Sequence, residues 1–97
     1  MNSLGLVEVQ STTAAIDCLD IMCKAADVRL VTWERKLGGR LVTMIVEGQI
    51  SAVKAAVDSA VAGSIIKPAA SAVIANPHSE TQRMVMLSAS RLTNVNS

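Results

Sequence analysis

Ninety-seven residues make one domain, and a domain that small buries only about 60 to 65% of the surface its unfolded chain exposes, so its margin of stability is thin. Yet 51% of the residues are hydrophobic and the mean hydropathy is +0.41, more apolar material than one small core needs, and self-association is the simplest destination for the surplus. A formal charge of +1 gives no electrostatic footprint for nucleic acid, no run approaches the ~20 apolar residues of a membrane span, and MNSLGLVEVQ lacks the basic start and apolar block of a signal peptide.

Ser3 to Val9 alternates as a strand does, with Gly5 inside it marking a bulge or a close backbone contact. Ser11, Thr12 and Thr13 then offer N-cap hydroxyls. From Ala14 to Ala26 the period becomes helical: Ala15, Cys18, Leu19, Met22 and Ala26 form an apolar stripe, and Asp17, Asp20, Lys24 and Asp27 a polar one. Asp20 and Lys24 stand at i,i+4 in the favourable order for an ion pair. Cys18 and Cys23 are five apart, which turns them to different faces of the helix, so a shared metal or disulfide is disfavoured and free buried thiols are expected. Trp33 is the only aromatic residue, so the core must come from Ala, Val, Ile, Leu and Met packed at close approach.

Val28 to Arg35 and Leu41 to Glu47 make the two arms of a β-hairpin, turning at Gly38 and Gly39, residues that take positive φ at little steric cost. The near-continuous apolar second arm suits a strand covered on both faces. Ile50 to Ala62 returns to helical spacing, with Ile50, Val53, Val57 and Val61 or Ala60 inward and Gln49 as a weak cap. Gly63 and Pro68 bracket a connection, Ser71 to Ala75 is a last short strand stopped by Asn76-Pro77, and Ser79 to Leu87 is a short terminal helix before a frayed end.

This order predicts an α+β fold of the ferredoxin-like βαββαβ kind, an antiparallel four-stranded sheet with two helices on one face and a short C-terminal helix. The other sheet face is left for the tail, for a neighbour, or for both. No phosphate-binding loop, nucleophile elbow or paired histidines sits on this frame; His78 is the single imidazole and has no positioned partner. Neither catalysis, a cofactor nor a metal is expected. The hairpin tip, with bare N–H groups beside Lys36 and Arg40, is either an ordinary surface turn with solvated charges or a place that anions visit.

The segments LGLVEV (Leu4 to Val9), AIDCLDIMCKAADVRLV (Ala15 to Val31), LGGRLVTMIVEG (Leu37 to Gly48), AVKAAVDSA (Ala52 to Ala60) and VIANPH (Val73 to His78) together resemble the hexamer-forming shell proteins of bacterial microcompartments. The resemblance implies one shell domain, placed at residues 3–87 with 88–97 as a flexible tail. It implies a homo-hexamer in the form of a flat disc, discs tiling with neighbouring hexamers and paralogous shell proteins around encapsulated enzymes in the cytoplasm, and an axial pore for small metabolites. On this resemblance the pore is lined by Leu37, Gly38, Gly39 and Arg40. Arg40 stands where the family has a third small residue, and one extra residue lies between Trp33 and Gly38. Arg40 can therefore point into the opening, fold back onto an acid such as Glu34, or narrow the channel. Lys24 falls on the family's edge lysine, with Asn76 and His78 in the partner segment, where the family usually has an arginine at the position of Asn76. The alternative function is a small ferredoxin-like regulatory or ligand-binding module that uses the Gly-Gly-Arg loop for a phosphate or nucleotide; such modules associate as dimers or trimers, so subunit number separates the two.

Overall fold

The computed structural model describes residues 2–96, with side chains described through residue 92. Its elements follow the order β1 (Ser3–Val9), α1 (Thr12–Ala25), β2 (Arg29–Lys36), β3 (Leu41–Gly48), α2 (Ile50–Gly63), β4 (Ala70–Ile74) and α3 (Ser79–Asn96). The four strands lie in the order β2-β3-β1-β4, every neighbouring pair antiparallel, which is the expected βαββαβ arrangement.

Alternation in β1 sorts the core into two clusters. Val7 and Val9 face α1 and α2, where they meet Cys18, Met22, Met44, Val46, Val53, Val57 and a lining of alanines. Leu4 points the other way and joins Ile45 and Val85, with Leu6, Val31 and Ile74 packed around them. Both faces of β3 are thus covered, as its continuous apolar run requires. The second face is covered by α3, which lies against β2.

The helices start and stop for identifiable reasons. Ser11 is extended and its hydroxyl accepts the Ala14 N–H at 2.9 Å, opening α1 one turn ahead of its apolar stripe; Ala26 returns to extended backbone and closes it. Gln49 makes no side-chain cap for α2, so burial of Val53, Ala56, Val57 and Ala60 holds that helix in place. Gly5 allows the close approach: a Cβ there would lie 2.9 Å from both Val53 Cγ1 and Val57 Cγ2.

Three expectations need correction, and β2 holds one irregularity besides. Ile50 is exposed, and of the two alternatives Val61 and Ala60 it is Ala60 that faces inward, joined by Ala56, because small residues are what the tight α2 to β1 contact admits. Cys18 is buried but Cys23 is exposed, since five residues carry it off the buried stripe. Val31 is the extra residue of a β-bulge between Leu30 and Thr32, which places Leu30 and Trp33 on the helix side of β2 and Thr32 under α3. The terminal helix does not stop at Leu87; it runs to Asn96, and Ser88, assigned to the tail, is buried against β2.

Candidate functional site

The hairpin tip is a four-residue connection. Lys36 pairs with Leu41, so Leu37, Gly38, Gly39 and Arg40 lie outside the ladder, and the expected two-residue Gly-Gly turn is replaced by a wider one. Three consecutive residues are left-handed, Leu37 at φ 54°, Gly38 at 65° and Gly39 at 88°, before Arg40 returns to the right-handed region at φ −83°. The Arg40 N–H closes the turn on Leu37 O at 3.3 Å.

Each glycine is needed for a different reason. Around Gly38 a Cβ would meet nothing within 4 Å, so only its positive φ excludes other residues. At Gly39 a Cβ would also come within 2.8 Å of Thr12 Oγ1, the hydroxyl that donates to Gly39 O at 3.3 Å and ties the tip to the first turn of α1. Leu37 holds a left-handed conformation that costs an ordinary L-residue about 1–2 kcal/mol, with its side chain 71% exposed. Strain of this kind, spent on an apolar residue facing water, collects at surfaces that have something to bind.

Arg40 and Lys36 are exposed and make no ion pair among the described residues. Glu34, the acid onto which Arg40 could have folded, instead accepts a hydrogen bond from the Ser88 hydroxyl and lies 3.9 Å from the Arg91 guanidinium. The tip therefore presents left-handed backbone and two unneutralised cations to solvent, a combination suited to anions. Arg35 is engaged differently, its guanidinium lying 5.3 Å from the centre of the Trp33 ring.

Lys24, Asn76 and His78 lie at the opposite end of the sheet. Ser3 pairs with Gly48, Leu4 with Ile74 and Arg29 with Glu47, so the starts of β1 and β2 and the ends of β3 and β4 share that end. Thr12 opens α1 beside the tip and Lys24 stands in its last turn, about 20 Å away along the helix. The Lys24 ammonium lies 2.8 Å from Asp20; that hydrogen bond, and then the charge of Asp20, push its pKa above the ordinary lysine value. Asn76 sits at φ 57°, a left-handed position that asparagine tolerates better than most residues. His78 accepts the Glu80 N–H on Nδ1 at 3.0 Å and Pro77 O accepts from Gln82 at 2.9 Å, so this segment also caps α3.

No cluster of three or more His, Cys, Asp or Glu side chains able to hold a metal occurs among the described residues, and no helix there is long and apolar enough to cross a membrane. Two features escaped sequence reasoning. One is the apolar groove of Ala15, Ile16, Leu19, Leu30, Trp33 and Met44 along the β2 edge, for which the exposed Ile16 next to the α1 stripe was the only signal. The other is the Thr32–Ser88–Glu34 cluster under α3, in which Ser88 is more than fifty positions in sequence from the other two members.

The chain is similar to known proteins in sequence and in fold. A family model described as the BMC domain matches residues 3–77. The chain is 44% identical over 85 residues to the bacterial microcompartment shell protein PduA of Citrobacter freundii, covering 86% of this chain and 90% of that protein. It is 36% identical over 90 residues to the shell protein EutM of Salmonella typhimurium, covering 91% and 93%. A solved microcompartment protein from Desulfitobacterium hafniense DCB superposes with a TM-score of 0.76 at 26% identity over 91% of this chain; the match spans about half, 48%, of that longer chain. The chain belongs to the BMC domain family, the shell proteins of bacterial microcompartments.

Proposed function

We propose that six copies of this chain close into a cyclic hexamer, that such discs tile edge to edge in a microcompartment shell, and that the tips at Leu37, Gly38, Gly39 and Arg40 surround a pore for small metabolites. Lys24, Asn76 and His78 then lie at the rim, where neighbouring hexamers and paralogous shell proteins meet, and the enclosed enzymes face one side of the disc. The role is structural and selective rather than catalytic.

The observation that carries this function is the opposition of the two candidate regions. A strained, cation-bearing tip stands at one end of the sheet and the lysine-bearing end of α1 at the other, so a ring assembled through the tips presents Lys24 outward. Exposed Ile16, Ile50, Val61, Ile65 and Ile66 supply apolar surface for subunit contacts. Closed rings bury such patches without leaving open ends.

Native mass spectrometry of the purified chain at near-neutral pH tests the proposal. The expected result is a dominant species of six times the 10.2 kDa subunit mass. A stable monomer, dimer or trimer as the only species would overturn it.

A further inference from the structure

We propose that α3 is a detachable strap, a helix that lifts from the sheet as a unit about a hinge at Ala75 to His78 and uncovers the apolar face formed by Leu4, Leu6, Val31, Ile45 and Ile74. The strap, its hinge and the face beneath it all belong to one subunit.

The first observation is how little apolar surface holds α3 down. Among the described residues α1 buries Ala14, Ala15, Cys18 and Met22, and α2 buries Val53, Ala56, Val57 and Ala60. Among the described side chains of α3 only Val85 and Ser88 are buried, Thr81, Gln82, Ala89 and Leu92 are half-buried, and Met84, Met86 and Leu87 face solvent. A helix whose described residues bury one aliphatic side chain fully belongs to the less protected part of a domain.

The second observation is the latch that compensates. Thr32, fully buried on β2, lies with its Oγ1 2.8 Å from Ser88 Oγ, and the Ser88 hydroxyl donates to Glu34 Oε2. A hydroxyl has one proton to give, so Thr32 is the donor to Ser88 and the three groups form a directed chain. Arg91 stands 3.9 Å from the same Glu34 oxygen. Such a chain sets the helix in one register when closed, yet every member regains water when the helix lifts. Polar attachment is therefore specific without being strong.

The third observation is that α3 carries its own supports. In its first turn the Glu80 N–H donates to His78 Nδ1 and the Gln82 side-chain amide donates to Pro77 O, so these contacts go to the linker and not to the sheet. Glu80 receives two hydrogen bonds from Arg83, at 3.2 and 3.0 Å, and the Ser90 hydroxyl bonds Leu87 O. Lifting breaks none of these. Asn76 at φ 57° and Pro77 confine the bend to the short linker.

Hydrogen exchange followed by mass spectrometry on the full chain, with the oligomeric state verified in each sample, provides the test. In the wild type, α3 amides exchange faster than those of α1 and α2. Ser88→Ala accelerates exchange in α3 by about tenfold or more and raises binding of an apolar dye, while α1 and α2 keep their rates. Thr32→Ser, which keeps the hydroxyl, leaves α3 close to wild type. Equal protection of all three helices in the wild type, an unchanged α3 in Ser88→Ala, or uniform acceleration of every helix would each overturn the strap.

Discussion

Arg40 illustrates how much a single side chain can alter when symmetry repeats it. It follows three left-handed residues, makes no ion pair among the described residues and stands at an exposed tip. In the proposed hexamer six guanidinium groups ring one opening, and charged rings of this kind admit counter-ions and hinder ions of like charge. Arg40→Ala is expected to leave the fold and subunit number intact and to lower phosphate or sulfate binding at the tip, read by titration calorimetry; undiminished binding would place the side chains away from the opening. The position of the tip was legible because two glycines between apolar arms leave few alternatives. Its width was not, because nothing in the character of Leu37 announces a residue at φ 54°.

Elements were legible wherever local pattern and tertiary demand agree. The alternation of β1 and the stripe of α1 each have one period and one partner layer, and both elements fall within two residues of their expected bounds. The phase of α2 was harder, since alanines carry little hydropathic contrast and the decisive constraint came from Gly5 on another element. Gly5→Ala forces a methyl against Val53 and Val57 and should destabilise the subunit by about 1–3 kcal/mol, seen as a lower denaturation midpoint with unchanged slope. The length of α3 was hidden for a different reason. Its interior side is marked by Ser88, a residue that reads as solvent-facing until Thr32 and Glu34 are brought beneath it by folding.

The whole molecule is wider than it is thick, 32 × 31 × 21 Å along its principal axes, and so has the proportions of a segment of a flat tile. In the proposed tiling Asn76 lies at the rim, where the family resemblance implies an arginine, and the forked, permanently charged contacts of arginine are missing. Asn76→Arg is expected to widen the ordered sheets seen by electron microscopy while lowering subunit stability by about 1–2 kcal/mol, because the new residue inherits a left-handed backbone. Wild-type sheets already as wide as those of the variant would show that the arginine is dispensable. The surplus of apolar residues was evident in the composition, whereas its distribution over Ile16, Ile65, Ile66 and the outer face of α3 required the fold.

The solitary indole has a practical consequence. Trp33 lies half-buried in the groove with Ile16, Leu19, Leu30 and Met44, and the chain contains neither tyrosine nor phenylalanine. Every photon of intrinsic near-ultraviolet emission therefore originates at the β2 edge. The protein carries a one-channel optical gauge of whether that edge is wet or covered, readable at any concentration without attaching a label.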